Sequence, residues 1–187
     1  AIPITMLVLL VVFGSLVSAG LPLVVAAGSV LGSFLVLWLI TQVTDVSIFG
    51  LNLITGLGLG LGIDYGLLMV NRFREERARG LAPDRAVVRT VATAGRTVAV
   101  SGVTVAVTLA ALLFFPQYFL RSFGYAGISV TLLAVLSAIT ALPAAMALLG
   151  ARTDSLRIRR GDLAPSDDGA WARVARAVLR RPVLVAV

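Results

Sequence analysis

The sequence contains no cysteine, no histidine and no lysine, and only 13% of its 187 residues are charged. The lack of cysteine excludes disulfides, zinc–thiolate sites and a cysteine nucleophile. The lack of histidine means that a side chain titrating near neutral pH has to be a carboxylate in apolar surroundings. Hydrophobic residues make up 59% of the chain, and the mean hydropathy is +1.01. These values exclude an ordinary soluble domain and indicate an integral membrane protein.

Apolar runs long enough to cross about 30 Å of hydrocarbon, at about 1.5 Å per residue, follow one another along the chain. We expect five spanning helices, at about residues 2–18, 22–43, 48–70, 97–115 and 123–149, and the start of a sixth at residues 182–187. The parent protein is therefore expected to be longer than this chain. A short turn is expected at residues 19–21, and Pro143 is expected to kink the fifth span. The predicted fold class is an all-α, polytopic transmembrane bundle.

All sixteen basic residues are arginines, and their positions predict the topology. Seven lie in residues 72–96 and eight in residues 152–181, and only Arg121 lies elsewhere. By the positive-inside rule both blocks face the cytoplasm, so the N-terminal end is extracytoplasmic and the protein lies in the plasma (inner) membrane. Anionic lipid headgroups are a second use for these side chains. We expect membrane lipids as partners and no nucleic acid.

Residues 71–96 are predicted to form a cytoplasmic amphipathic connection. Pro83 is suited to the first turn of a short helix there, and Gly95 is expected to end that helix. Arg72 and Glu76 have the i, i+4 spacing of a helical ion pair. The charged residues expected at the cytoplasmic interface are Arg72, Arg74, Glu75 and Glu76.

Residues 151–181 are predicted to be a cytoplasmic linker that contains an interfacial helix. Trp171 lies on the apolar face of that helix, with arginines around the other sides. A solvated loop helix is the alternative interpretation.

A single carboxylate, Asp64, lies inside the apolar stretch of residues 49–70. An aspartate at the centre of a membrane helix costs about 2.5 to 3.5 kcal/mol, so such a residue is either covered by protein or used. At about 100° per residue, Gly56 and Gly60 lie on the side of Asp64, whereas Gly58, Gly62 and Gly66 lie on the opposite side. Small residues spaced by four let helices approach closely. We therefore expect this helix to be central, with protein on two faces and Asp64 facing a neighbouring helix.

The chemistry expected of Asp64 is gain and loss of a proton, because apolar surroundings favour the neutral carboxyl and no basic residue lies at its depth. A structural hydrogen bond to a serine or threonine of another helix is the alternative. Tyr65 adds a hydroxyl that points about 100° away, towards a different helix, although ordinary packing explains a tyrosine equally well.

Three hydroxyl residues of the fourth span, Ser101, Thr104 and Thr108, form a polar stripe. Such a stripe lines a hydrated path or bonds to its own helix. Ser101 is the best candidate for the path, because its depth is similar to that of Asp64.

An enzyme is a weaker hypothesis. Intramembrane aspartyl proteases carry a Gly-x-Gly-Asp motif and need two carboxylates that share a proton. Here one more residue, Ile63, separates Gly62 from Asp64, and the chain has no second deep aspartate. We expect no catalytic residues and no metal site.

Three segments, GLGLGIDYGLLMVNRFREE, ATAGRTVAVSG and FFPQYFLRSFGYA, resemble the mycobacterial membrane protein large (MMPL) family of the resistance-nodulation-cell division (RND) superfamily. The resemblance implies the second to sixth helices, and the start of the seventh, of a twelve-helix transporter from actinobacteria. It implies proton-driven export of lipids or other hydrophobic compounds, with Asp64 and Tyr65 as the first-half proton relay and Ser101 as a relay hydroxyl.

The resemblance also implies partners. They are hydrophobic cargo and the remainder of the same chain, meaning a second membrane half and extracytoplasmic porter domains. Protons are the coupling ion and no cofactor is implied, while the presence of an oligomer is left open. A sterol-sensing-like, lipid-binding or scaffold domain without proton pumping is the rival hypothesis, and proton dependence of activity separates the two.

Overall fold

The computed structural model describes residues 16–149 of the chain. Its regular elements follow one another with short connections and are α1 (Leu16–Thr41), α2 (Phe49–Ala78), α3 (Pro83–Thr90), a π-helical turn (Val91–Gly95), α4 (Arg96–Ala110), a 3₁₀ turn (Ala111–Phe114), α5 (Tyr118–Ile139) and α6 (Ala141–Leu149).

Four helical segments are long and apolar enough to cross a membrane, namely Ser18–Thr41, Phe49–Ala78, Pro83–Phe114 and Tyr118–Leu149. The protein is therefore an all-α, multi-pass membrane protein, as its composition predicts. Most of the predicted first span lies outside the described residues, as do the predicted linker with Trp171 and the predicted start of a sixth span.

The turn expected at residues 19–21 is wrong, because α1 runs through these positions. Ala19 and Leu21 are buried in the core of the bundle, and this packing stabilises the helix across Gly20, a weak helix former. Pro22 lies inside α1 and removes only the backbone donor that would reach the carbonyl of Ser18.

The second helix continues eight residues past Val70, into the segment predicted as a connection. Its 30 residues span about 45 Å, which is more than the thickness of the hydrocarbon core. Ion pairs along the helix favour this extension. The helix ends where Gly80 adopts a φ of 87°, and the amides of Gly80 and Leu81 donate to the carbonyls of Arg77 and Glu76, a Schellman motif.

Pro83 begins α3, as its position in the sequence predicts. Gly95 does not end that helix, because the chain passes through the π-helical turn directly into α4. Gly95 is buried and has helical φ and ψ of −60° and −38°. A glycine stops a helix by taking a positive φ, as Gly80 does and Gly95 does not.

The last span is interrupted at Thr140, between α5 and α6. Pro143 has no amide hydrogen to donate to the carbonyl of Ile139, and its ring crowds that carbonyl. The predicted kink is therefore present, three residues before the proline itself.

The central helix of the described bundle is α5, which packs against α1, α2 and α4. Within residues 16–149, α2 packs mainly against α1 and α5 and leaves one side open, so its central place stays a prediction. The larger core cluster includes Tyr65, Met69, Phe73, Val98 and Val135. A smaller cluster, nearer the start of α2, contains Leu37, Ile54, Ala126 and Val130.

Candidate functional site

One side of α2 is built for close contact with α1. A Cβ atom on Gly62 would lie 2.7 Å from the backbone nitrogen of Ala26, and one on Gly66 would lie 2.6 Å from the Cα of Pro22. One turn earlier, a Cβ on Gly58 would lie 2.7 Å from Val30. Both distances to backbone atoms are too short for a side chain, so glycine allows the two helices to approach.

The opposite side of α2 carries Asp64 and is open. A Cβ on Gly56 or Gly60 would meet no atom of another described element within 4 Å. Asp64 and Asn71 are exposed on the same side. Protein therefore packs on only one of the two predicted faces within residues 16–149, and the helix expected to face Asp64 is not among those described. Asp64 lies opposite the glycines that hold α1, which is the reason that α1 cannot cover it.

Tyr65 points away from Asp64 into the bundle, as a separation of about 100° requires. Its side chain is only 6% exposed, and its hydroxyl has no hydrogen-bond partner within the described part of the chain. The hydroxyl lies 3.6 Å from the position that a Cβ on Gly102 would occupy, and that position also contacts Val135. Tyr65 thus reaches from α2 to α4, beside the residue that follows Ser101.

The polar stripe of α4 divides into two parts. The hydroxyls of Thr104 and Thr108 donate to the carbonyls of Val100 and Thr104, both at 2.9 Å. These two threonines therefore satisfy their hydroxyls on their own helix, which is the alternative interpretation of the stripe. Ser101 is exposed, and its hydroxyl makes no hydrogen bond to any of residues 16–149.

Charged side chains meet where α2 extends past its apolar part. The Glu76 carboxylate is 1% exposed and lies 2.6 Å from Arg72, 3.0 Å from Arg79 and 3.6 Å from Arg89. We call these four residues the Glu76 cluster. Arg72 also pairs with Glu75 at 3.0 Å, and its Nε donates to the Thr93 hydroxyl at 3.2 Å. Arg74, two residues after Arg72, is half-buried.

The sequence predicts the Arg72–Glu76 pair from its spacing but not the rest of the cluster. Arg89 belongs to α3, so its approach to Glu76 depends on how α3 folds back on α2. The one signal in the sequence is an acid with arginines at both the i−4 and i+3 positions, a spacing that favours contact on one helix face.

Comparison with known proteins decides the family. The MMPL family model matches residues 1–185 of the sequence. The chain belongs to the MMPL family. MMPL proteins are members of the RND superfamily, so the resemblance found in the sequence is confirmed.

Among similar proteins, a putative membrane protein of Streptomyces coelicolor is 48% identical to this MMPL chain over 99% of the chain's residues. The trehalose monomycolate exporter MmpL3 of Mycolicibacterium smegmatis is 44% identical over 84% of the chain. The mycolic acid-containing lipids exporter MmpL11 of the same species is 35% identical over 96%. The chain spans 26%, 16% and 19% of the length of these three relatives, respectively.

Proposed function

We propose that this MMPL chain is the membrane module of a proton-driven exporter of lipids or other hydrophobic compounds, in which Asp64 carries the proton. The observation that supports the proposal most strongly is the open side of α2, where an exposed carboxylate lies on a helix that is otherwise apolar at that depth. A carboxylate facing acyl chains costs several kcal/mol unless it is neutral or covered by polar groups.

The open side of α2 is suited to a further helix. Gly60 and Gly56, one and two turns before Asp64, leave a surface without side chains, and such surfaces allow close helix contact. The relatives are much longer than this chain, so the remainder of the same transporter chain is the partner that we assign to this surface. Asp64 then lies at a protein interface and not in lipid.

The proposed relay consists of Asp64, Tyr65 and Ser101. Asp64 takes a proton from the outer side and releases it inward, and each change of its charge alters how tightly the open side of α2 binds its partner. The Tyr65 hydroxyl, at the α2–α4 contact, has no hydrogen-bond partner among residues 16–149. Ser101 supplies the exposed hydroxyl on α4.

The driving force is large enough for this role. One charge that crosses about 100 mV gains about 2.3 kcal/mol. This energy shifts a two-state equilibrium roughly fiftyfold, and a pH gradient adds to it. With the arginines of residues 72–96 on the cytoplasmic side, the proton moves towards them.

The cargo class is taken from the relatives. One of them is named as an exporter of trehalose monomycolate and another as an exporter of mycolic acid-containing lipids. A long-chain lipid is therefore the cargo class that we propose for this MMPL protein, and no described residue is assigned to its recognition.

The test uses the full-length transporter in proteoliposomes with an imposed proton gradient and a fluorescent long-chain lipid. Asp64→Asn should abolish gradient-driven lipid movement while the protein still inserts and unfolds at the wild-type temperature. Asp45→Asn is the matched control, because Asp45 is an exposed acid in the loop before α2 and should transport normally. Normal transport by Asp64→Asn would overturn the proposal, and lipid binding without any gradient dependence would favour the scaffold hypothesis.

A further inference from the structure

The Glu76 cluster lies outside the proposed relay and connects elements that are distant in sequence. Glu76 is buried to 99%, although it lies in the charged extension of α2. Its two carboxylate oxygens share three arginines, of which Arg72 and Arg79 lie on α2 and Arg89 lies on α3. A buried carboxylate is held in place only when charged or hydrogen-bonding partners surround it.

A second contact extends this cluster to the π-helical turn. The Nε of Arg72 donates to the Thr93 hydroxyl, which itself donates to the carbonyl of Arg89 at 2.8 Å. Arg72 is therefore held between Glu76 on its own helix and Thr93 on the segment that leads into α4. Single π-turns inside longer helices are a local irregularity that frequently occurs at functional positions.

The contact between Arg72 and Thr93 is equally far along the chain from two relay residues, Asp64 and Ser101. Asp64 lies eight residues before Arg72 on α2, about 12 Å along the helix. Ser101 lies eight residues after Thr93 on the continuous segment from the π-turn to α4. The helices α2 and α4 make few direct contacts, since α5 packs between much of their length. Besides this shared packing on α5, the contacts of Arg72 with Thr93 and of Glu76 with Arg89 join α2 directly to the segment that leads into α4.

We propose that Glu76 is a positioning residue. Through Arg72 and Arg89 it fixes the separation between the end of α2 and the start of α4, and thereby the separation of Asp64 and Ser101. This inference rests on the proposed function for its consequence in transport. The predicted effect on the distance between α2 and α4 does not depend on the proposed function.

The matched control is the neighbouring acid. Glu75 also pairs with Arg72, but its side chain is 56% exposed and it makes no described contact with α3. Glu76→Gln keeps the size of the side chain and removes the charge that holds three arginines, whereas Glu75→Gln removes one exposed pair.

The experiment measures a distance and a transport rate in the full-length transporter. This chain has no cysteine, so spin labels are placed on cysteines introduced at Ala78 and Ala92, both exposed, with cysteines elsewhere in the protein removed. Wild type and Glu75→Gln should give one narrow distance distribution and equal transport. Glu76→Gln should broaden and lengthen the distance and lower the turnover number at least tenfold with an unchanged cargo KM, and Glu76→Asp should restore most of both.

Arg89→Gln provides a second variant for the case in which Glu76→Gln does not fold. Arg89 is an exposed residue of α3, and the ion pair that its loss removes among the described residues is the one with Glu76 at 3.6 Å. Arg89→Gln should therefore broaden the same distance to a smaller extent. A distance unchanged in both Glu76→Gln and Arg89→Gln would overturn the inference, as would a lengthened distance with wild-type transport. If Asp64→Asn transports normally, the proposed function fails instead, and the distance measurement alone still decides whether Glu76 positions the helices.

Discussion

Asp64 and Tyr65 are consecutive residues of α2 whose side chains lie on different sides of the helix, with the carboxylate exposed and the phenol buried against α4 and α5. The two groups therefore belong to different contacts of the same helix. Asp64 is available to a partner that binds the open side, and Tyr65 is part of the described core. Their contributions can be separated by single substitutions.

Tyr65→Phe should leave folding intact and reduce transport. The substitution removes a buried hydroxyl that has no described hydrogen bond, so the free energy of unfolding should stay the same or rise by up to about 1 kcal/mol. Transport should fall because the proposed relay loses the hydroxyl between α2 and α4. Thermal unfolding and gradient-driven lipid transport of the full-length protein measure the two effects.

Tyr125→Phe is the control for Tyr65→Phe. The Tyr125 hydroxyl accepts a hydrogen bond from Arg121 at 3.3 Å and lies near the start of α5, away from the relay. Its loss should not change transport. Equal transport by Tyr65→Phe and wild type would remove Tyr65 from the relay and leave it as a packing residue.

Gly62→Ala should destabilise the protein. The new Cβ would lie 2.7 Å from the backbone nitrogen of Ala26, and backbone atoms cannot move aside as a flexible side chain can. Overpacking of this kind costs about 1 to 3 kcal/mol. The thermal unfolding temperature of the purified full-length transporter measures it.

Gly20→Ala in α1 is the control, because its Cβ meets no described atom within 4 Å and Gly20 is not on the open side of α2. Its unfolding temperature should exceed that of Gly62→Ala. A larger loss of stability from Gly20→Ala than from Gly62→Ala would contradict the assignment of the α1-facing side of α2.

Ser101→Ala should lower transport, whereas Thr104→Val should not. The Thr104 hydroxyl is already bonded to the carbonyl of Val100, so it has no free donor for a path. Ser101 is exposed on the same helix, and its hydroxyl is available to the relay. Side-by-side transport assays of the two variants check the prediction. A larger loss of transport in Thr104→Val than in Ser101→Ala would contradict the assignment of Ser101 to the relay.

Local patterns in the sequence predicted a large part of this structure. The 100° step of an α-helix places Gly62 and Gly66 opposite Asp64, and the structure has them there. The same step separates Asp64 from Tyr65. Pro83 begins a helix and Pro143 lies at a kink because the effect of proline on the backbone is local.

Other features depend on contacts between distant segments, and local patterns did not predict them. The helix passes through Ala19 because the core buries this residue, and it passes through Gly95 because a π-turn replaces the expected end. The open side around Asp64 depends on which helices are present to cover it. The contact of Arg89 with Glu76 depends on the direction in which α3 returns to α2.

The coupling of proton movement to lipid movement tests the central claim most directly. The full-length transporter is reconstituted into vesicles that contain a pH-sensitive dye, without an imposed gradient, and a lipid cargo is supplied on one side. Lipid movement by the wild-type protein should change the internal pH, and Asp64→Asn should abolish both signals while Asp45→Asn keeps them. Lipid transport by the wild-type protein without any proton movement would contradict the account.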